Sequence, residues 1–369
     1  MHMQNVLRLG IAALGLAGCR EAPPPAALRA LLTVDTWRLD HFSAAHTPAL
    51  WAFSSKGQRF TNAWAPIGLT TPSHATMLTG RPPWETGVEG NNHHGYALPA
   101  GFPTLPERYP GAPSAAFVSA FPAGPDGGLG RGWDTFDGPD EGERPGEIAV
   151  QRAIEWLPAA GPGTLWVHLY EPHGPYVGTG ATDPERYAEE VARADAALAP
   201  LLAALEARGA IVVLAADHGE VLLEERCGRQ HERSTHPSVL RVPLVRVGPG
   251  IPAEERPERV GLDLVPALLD GGDWGRGPRV GRDLTLAESG LCEAGCAPGC
   301  SPPGLLGRDR VAIDDGGRWV DRPGRGRFAE GAPGPAAAAA LDTFPPRRAP
   351  ENAALEAGME ALGYKPAAP

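Results

Sequence analysis

The chain has 369 residues, of which 42% are apolar, so it is long enough to bury a large core. Its formal net charge is −11, from 33 basic and 44 acidic residues without a Lys/Arg cluster, and this argues against nucleic acid as a partner. Glycine and proline are frequent, with 48 and 41 residues, and this frequency predicts many loops between regular elements.

The first residues are expected to form a targeting segment rather than part of the fold. Arg8 precedes an apolar run that ends at Cys19 and is too short for a stable membrane span. The sequence 16–19, Leu-Ala-Gly-Cys, resembles the lipobox of bacterial lipoproteins, which implies cleavage before Cys19 and lipidation of its thiol. We expect a signal peptide over 1–18, a tether over 19–27, and an extracytoplasmic protein anchored to a bacterial membrane. An ordinary signal peptide with a chance cysteine is the alternative.

Short apolar runs alternate with helical patterns through the next part of the chain. Such runs predict strands buried on both faces of a sheet, here over 27–37, 114–120, 164–173, 210–220 and 242–248. Helices are predicted over 47–55 and over 184–209, the second closed by Gly209. The alternation predicts a parallel sheet with helices on both faces.

The character of the sequence changes at about residue 280. Residues 308–324 predict a hairpin with a turn at 315–317, and a last amphipathic helix is predicted near 350–362. We therefore divide the chain into a main domain over 28–279 and a small C-terminal subdomain with a tail over 280–369.

Four cysteines follow Cys19, and export would permit them to form disulfides. They allow three pairings, and we expect one of the last three to bond the first: Cys227, Cys292, Cys296 and Cys300. A metal cluster is the alternative, but no histidine lies near the last three cysteines.

Polar residues stand where several predicted strands end. Asp35, Asp217 and His218 are potential metal ligands there, because the carboxyl ends of parallel strands meet at one edge of a sheet. Carboxylates alone suit Ca²⁺ or Mg²⁺, and an added imidazole shifts the preference towards Zn²⁺ or Mn²⁺.

The stretch GLTTPSHATMLTG, residues 68–80, reads as a strand-to-helix corner with hydroxyl groups at its start. Thr70, Thr71 and Ser73 are candidate nucleophiles, and each is also a candidate helix cap. A Ser73–His74 dyad is disfavoured because neighbouring residues rarely place imidazole on hydroxyl and no G-x-S-x-G elbow is present.

Blocks of sequence from about residue 28 to 365 resemble the alkaline-phosphatase/sulfatase superfamily in their order along the chain. They include LLTVDTWRLD, TTPSHATMLTGRPPWETGV, WVHLYEPHGPY, ADHGE and LRVPLVRVGPG. The resemblance implies a three-layer α/β/α sandwich with a mostly parallel central sheet, plus a small C-terminal subdomain. It also implies an ester hydrolase that depends on a divalent metal.

The resemblance makes Thr70 the nucleophile. In arylsulfatases the motif is Cys-x-Pro-x-Arg, and alignment on Pro72 places Thr70 at the cysteine and His74 at the arginine. Threonine carries a methyl group on its β-carbon and cannot become formylglycine, so Thr70 should act as an unmodified alkoxide. The implied ligands of a Zn²⁺ or Mn²⁺ ion are Asp35, Thr70, Asp217 and His218.

Other roles follow from the resemblance residue by residue. His231 and His173 are expected to act on the transferred group, and His231 is preferred over His236 because it precedes Pro243 by twelve residues. Asn91, His74 and His236 are candidate substrate-binding residues. Glu171 is a weak candidate for a second metal, and we interpret His168 and Asp195 as structural.

The chain also departs from formylglycine sulfatases. Thr36 stands where they carry a second aspartate, and neither lysine, Lys56 or Lys365, is placed to contact sulfate. We therefore expect an exported hydrolase that prefers phosphate esters over sulfate esters of small molecules, glycans or lipid headgroups. The alternatives are a sulfuric ester hydrolase, a phosphoethanolamine-type transferase and a non-catalytic anion-binding lipoprotein.

Overall fold

The computed structural model describes residues 28–92, 95–158, 161–222, 231–270, 285–288, 309–322 and 326–344. Its strands in chain order are β1 Leu28–Val34, β2 Gln58–Trp64, β3 Ser114–Val118, β4 Thr135–Asp137, β5 Gly163–Leu169, β6 Ile211–Ala216, β7 Arg241–Val247, β8 Glu254–Arg256, β9 Val260–Gly261, β10 Thr285–Glu288, β11 Arg310–Asp314, β12 Gly317–Arg322 and β13 Gly326–Gly331. Its α-helices are α1 Pro48–Ser54, α2 Thr70–Thr79, α3 Pro83–Thr86, α4 Leu105–Arg108, α5 Gly146–Trp156, α6 Asp183–Ala207, α7 Pro237–Leu240, α8 Val265–Leu269 and α9 Pro335–Ala340.

The central sheet has the strand order β4-β3-β5-β1-β6-β7-β2-β8, and β9 also pairs with β2. Strands β4, β3, β5, β1 and β6 run parallel, whereas β7 is antiparallel to both of its neighbours, β6 and β2. The prediction of a mostly parallel sheet in a three-layer fold is confirmed. All five apolar runs named above form strands of this sheet.

The apolar runs form the core because the central strands have no exposed face. Every residue of β3 and β5 is buried, and Trp166 of β5 has no exposed surface. Helix α6 packs against both α1 and α5, and α2 packs against α8. Burial of this kind contributes about 25 cal/mol per Å² of apolar surface removed from water.

The long helix α6 begins where the sequence supplies a cap. Thr182 and Glu185 form a capping box, and Pro184 occupies the first turn. The helix ends before Gly209, which has φ 61°, a left-handed conformation that glycine adopts without steric cost. The helix predicted over 184–209 is therefore present as Asp183–Ala207.

The small second sheet is antiparallel, with the order β10-β11-β12-β13. Its β11–β12 hairpin turns at Asp315 and Gly316, as the sequence predicts. It is joined to the main body through Glu288, whose N–H donates to Pro66 O over 2.9 Å, and through apolar packing of Val311 and Val320 around Trp64.

Some predictions fall outside the described residues. These are the signal peptide and its lipidation site Cys19, the other four cysteines and the disulfide pairing, and the helix near 350–362. Among the helices that the structure does describe, none combines the length and the apolar character needed to cross a bilayer.

Candidate active site

The carboxyl ends of β1 and β6 bring three potential metal ligands together. The two strands are adjacent and parallel, with Val34 opposite Ala216, so Asp35 and Asp217 emerge side by side. His218 follows directly, and none of these three side chains has any exposed surface. One ligand atom from each residue lies within 4.8 Å of the others.

The atoms that face one another in this cluster lack hydrogen-bond partners in the part of the chain described. They are Asp35 Oδ1, Asp217 Oδ2 and His218 Nε2. The other ring nitrogen of His218, Nδ1, donates to Gly219 O over 2.9 Å, which leaves the lone pair on Nε2. Unpaired buried polar atoms are costly, and two carboxylate oxygens with one imidazole nitrogen are a suitable donor set for a divalent cation.

The electrostatics of the cluster also favour a cation. Burial, followed by the charge of Asp35, raises the pKa of Asp217 well above its ordinary value. Burial alone would raise the pKa of Asp35, but the hydrogen bond with His168 and the charge of His218 hold it below the usual range. Burial and the charge of His231 lower the pKa of His218 to about 4. The two carboxylates therefore repel each other when both are ionised, and a bound cation would offset that repulsion.

Thr70 stands at the start of α2 and faces the same cluster. Its Oγ1 donates to Asp35 Oδ2 over 3.1 Å, and the residue is only 3% exposed. The next backbone N–H, that of Thr71, donates to Asn91 Oδ1 over 2.9 Å. The hydroxyl therefore lies beside the potential metal ligands at the positive end of a ten-residue helix.

His231 forms an ion pair with Glu220 at the edge of the cluster. Its Nδ1 lies 3.0 Å from Glu220 Oε1, and its ring stacks on that of His218 with centroids 4.7 Å apart. Burial opposes the charge, but the carboxylate of Glu220 raises the pKa of His231 to about 9. Burial likewise opposes the charge of Glu220, whose pKa the imidazolium lowers to about 2. His231 is thus a fixed cation at neutral pH.

His173 lies next to His231, and their ring centroids are 5.2 Å apart. Its Nδ1 donates to Gly174 O over 2.7 Å, and its ring stacks on Tyr170. Burial lowers the pKa of His173, so at neutral pH this ring is uncharged and presents the Nε2 lone pair. The two histidines therefore differ in protonation although they are neighbours.

The three candidate substrate-binding residues all have partners inside the protein. His74 is fully buried, and its two ring nitrogens contact Thr70 O at 2.8 Å and Thr33 Oγ1 at 3.0 Å. Burial lowers its pKa well below the ordinary value, so the ring is neutral. The ring contacts Thr33 of β1, and the substrate-binding role of His74 stays a prediction.

His236 is the N-cap of α7, where its Nδ1 accepts from Ser238 N–H over 3.1 Å. Asn91, as described above, fixes the first turn of α2. The substrate-binding roles of both residues stay predictions.

Ser73 and Asp195 make structural contacts, whereas the second-metal role of Glu171 stays a prediction. Ser73 Oγ donates to Asp217 O over 2.6 Å, so its hydroxyl is not directed at His74. Asp195 accepts the backbone N–H groups of Ala49 and Leu50 at the start of α1, as expected of a structural carboxylate. Glu171 Oε1 accepts Gly146 N–H over 2.9 Å.

The sequence does not indicate the contacts that two residues make at this site. Glu220 lies two residues after His218, but nothing in the sequence indicates that it pairs with His231. His168 was interpreted as structural, yet its Nε2 lies 3.4 Å from Asp35 Oδ2. Its position on β5, next to β1, is the one feature that could have indicated this contact. In that pairing His168 is in register with Thr33.

Two comparisons with known protein sequences give different results. A family model for sulfatases matches residues 123–272, which include His173, Asp217, His218 and His231 but neither Asp35 nor Thr70. No curated protein is significantly similar in sequence to this chain.

Solved structures share the fold over almost the whole chain. Phosphonate monoester hydrolase from Silicibacter pomeroyi superposes with a TM-score of 0.66 and 15% identity, over 91% of this chain and 94% of that one. A putative sulfatase from Bacteroides thetaiotaomicron gives 0.66 and 17% over 91% of each chain, and a 2-O GAG sulfatase gives 0.65 and 16% over the same shares. A family model for sulfatases thus matches part of this chain, and its fold is that of solved structures described as sulfatases and phosphonate monoester hydrolases.

Proposed function

We propose that this protein is a metal-dependent hydrolase that cleaves phosphate esters, and sulfate esters more slowly, with Thr70 as its nucleophile. The observation that carries the proposal is the convergence of Asp35 Oδ1, Asp217 Oδ2 and His218 Nε2 beside the Thr70 hydroxyl. A non-catalytic anion-binding protein would not need unpartnered ligand atoms next to a hydroxyl group.

Asp35, Asp217 and His218, together with Thr70 Oγ1, would hold the ion, and the mixed donor set favours Zn²⁺ or Mn²⁺. Such an ion, when bound, acts as a Lewis acid that lowers the pKa of the hydroxyl and neutralises charge on the substrate oxygens.

The nucleophile is held in position by its neighbours. Asp35 Oδ2 accepts the hydrogen bond of Thr70 Oγ1 and fixes its direction, and the α2 N-terminus faces the incoming anion. Thr70 Oγ1 passes its proton to Asp35 Oδ2 and forms a bond to phosphorus as the bond to the leaving oxygen breaks, which gives a threonyl ester. Attack by water, or by an acceptor alcohol in a transferase, then releases the group and restores the hydroxyl.

His231 and His173 have different roles in proton transfer. His231 carries a proton at neutral pH and is suited to donate it to the leaving oxygen or to stabilise an oxygen of the transferred group. His173 is neutral and its Nε2 is free to accept a proton from the attacking water. Glu220 keeps His231 charged between turnovers.

The preference for phosphorus follows from the chemistry of Thr70. A formylglycine hydrate has a second hydroxyl group that helps to expel sulfate, and threonine has none. A threonyl ester must be broken by external attack, a route that suits a phosphoryl group. Lys56 cannot supply charge to substrate oxygens, because its Nζ is paired with Glu206 at 2.6 Å.

The test compares nitrophenyl phosphate, bis-nitrophenyl phosphate and nitrophenyl sulfate on one metal-loaded preparation. We expect the highest kcat/KM for a phosphate substrate and its loss in Thr70→Ala. Thr76→Ala is the matched control, because Thr76 lies on the same helix and its hydroxyl donates to Pro72 O instead. Faster hydrolysis of the sulfate that still depends on Thr70 would make the protein a sulfuric ester hydrolase, and full activity of Thr70→Ala would refute the nucleophile.

The proposal also covers the location of the protein and the class of its substrates. The leader and Cys19 support a lipid-anchored protein outside the cytoplasm, where ester groups of glycans or lipid headgroups are accessible. A structural neighbour is described as a 2-O GAG sulfatase, and a second was solved with k-i-k-neocarrahexaose. Glycan esters are therefore one substrate class to screen.

A further inference from the structure

Behind the candidate active site, one buried hydroxyl joins three side-chain nitrogens. Thr33 lies on β1, two residues before Asp35, and has no exposed surface. Its Oγ1 lies 3.0 Å from His74 Nε2, 3.0 Å from His168 Nδ1 and 3.1 Å from Trp166 Nε1. These three side chains are also fully buried.

The proton positions in this network follow from what each atom can donate. His74 Nδ1 faces Thr70 O, which only accepts, so Nδ1 carries the hydrogen of the neutral ring. His74 Nε2 therefore takes the single hydroxyl proton of Thr33. The indole N–H of Trp166 can only donate, so it occupies one lone pair of Thr33 Oγ1. His168 Nδ1 lies 3.0 Å from the same oxygen, and Val167 O lies 3.4 Å from it.

Both histidines extend the network to the site. His74 Nδ1 holds the carbonyl of Thr70 at 2.8 Å, and His168 Nε2 lies 3.4 Å from Asp35 Oδ2, the oxygen that accepts the Thr70 hydroxyl. The hydroxyl of Thr33 thus sets the orientation of one ring behind the nucleophile and of one ring behind a metal ligand. Its place on β1 is itself fixed, because Thr33 is in register with His168 on β5.

We propose that Thr33 is a positioning residue of this enzyme, whose hydroxyl fixes His74 and His168 and through them the relative placement of Thr70 and Asp35. The inference rests on the proposed function of Thr70 and Asp35. Partners of this kind that orient ligands from behind typically change metal affinity or activity by about 10–100-fold when they are removed.

The test uses Thr33→Val, which keeps the branched shape and removes the hydroxyl. We expect both kcat and the affinity for Zn²⁺ or Mn²⁺ to fall by about 10–100-fold. Thr33→Ser, which restores the hydroxyl, should recover most of both quantities. Thr164→Val is the matched control, because Thr164 is a buried threonine of β5 whose hydroxyl has no hydrogen-bond partner among the described residues.

A readout independent of turnover separates this inference from the proposed function. In ¹⁵N-imidazole NMR spectra, the His74 ring should be the Nδ1–H form because Nδ1 faces Thr70 O, and its Nε2 resonance should shift in Thr33→Val, which removes the donor to Nε2, but not in Thr164→Val. A wild type that binds no metal and cleaves no ester would refute the function while this spectrum still tests the network.

The proposal is overturned if folded Thr33→Val keeps wild-type kcat and metal affinity, or if Thr33→Ser is as impaired as Thr33→Val. Should Thr33→Val not fold, Thr33→Cys is judged by the same criteria, because its thiol keeps the side chain small but forms only weak hydrogen bonds.

Discussion

The backbone N–H of Thr36 donates a hydrogen bond to Asp217 Oδ1 over 3.2 Å. Thr36 has φ 49°, a left-handed conformation that is rare for a β-branched residue and costs about 1–2 kcal/mol. The bond engages one oxygen of Asp217 and leaves Oδ2 facing Asp35 and His218. Thr36 stands where formylglycine sulfatases carry a second aspartate, and here its backbone, not its side chain, serves the site.

Tyr187 holds Thr36 in this conformation. Its hydroxyl donates to Thr36 O over 2.7 Å and accepts from Arg38 N–H over 2.9 Å, and the ring is fully buried. In Tyr187→Phe both backbone groups lose a buried partner, and we expect a loss of about 1–3 kcal/mol in the free energy of unfolding together with weaker metal binding. Urea denaturation and metal titration measure the two effects. Unchanged metal affinity would show that metal binding does not depend on the contact between Tyr187 and Thr36.

Thr36→Gly tests the strain separately. Glycine relieves the left-handed penalty but raises the entropy of the unfolded chain, so we expect a net change within about 1 kcal/mol. Activity should persist, since the N–H that reaches Asp217 is kept. A large loss of activity would assign the threonine side chain a direct role.

Asp217→Asn should abolish metal-dependent activity and weaken metal binding by more than about 100-fold, since it removes a ligand and not merely an orienting partner. Without metal, however, the variant should be at least as stable as the parent, because burial and the charge of Asp35, which together raise the pKa of Asp217, disfavour a carboxylate there. Metal analysis and thermal unfolding with and without chelator check both expectations.

Asp195→Asn is the matched control for Asp217→Asn. Burial also raises the pKa of this carboxyl group, but it binds the start of α1 and not the site. Its substitution should leave metal content unchanged. Equal metal loss in both variants would contradict the ligand assignment.

The decrease of kcat/KM at alkaline pH should follow the deprotonation of His231. With a pKa raised from 6.5 to about 9, the imidazolium persists at neutral pH, and kcat/KM should fall as the pH rises through about 9. Glu220→Gln removes the main cause of the raised pKa while burial remains, so this decrease should move towards pH 6.5 or below. An unchanged decrease in Glu220→Gln would mean that another group titrates there.

The same pair predicts how stability changes with pH. A raised folded-state pKa contributes stability that is complete below 6.5 and is lost progressively as the pH approaches about 9. Urea denaturation of metal-free protein should show this decline in the wild type and not in Glu220→Gln.

Cys19→Ser tests the proposed lipid anchor. We expect the variant to remain unprocessed or to leave the membrane fraction, because the lipidated thiol is absent. Cys227→Ser, which keeps Cys19, should fractionate as the wild type does. A normally processed, membrane-bound Cys19→Ser protein would remove the lipoprotein proposal.

Many elements of this fold can be predicted from short stretches of the sequence. The apolar runs of β1, β3, β5, β6 and β7 and the capping box of α6 each involve residues close together in the chain, so pattern and propensity suffice to locate them. The proximity of Asp35, Thr70, Asp217 and His218 is predicted from strand ends, a helix start and the resemblance to a known family, and the structure brings these residues together.

The partnerships around those residues were decided only by the tertiary structure. Thr33 meets His168 across 135 residues of chain, and Thr36 meets Asp217 across 181. Which side chains meet depends on the register of β1 with β5 and β6, and a shift of one residue would turn each side chain to the other face of the sheet. The protonation of His231 likewise depends on burial beside Glu220, and burial is a property of the packed molecule, not of any local stretch of sequence.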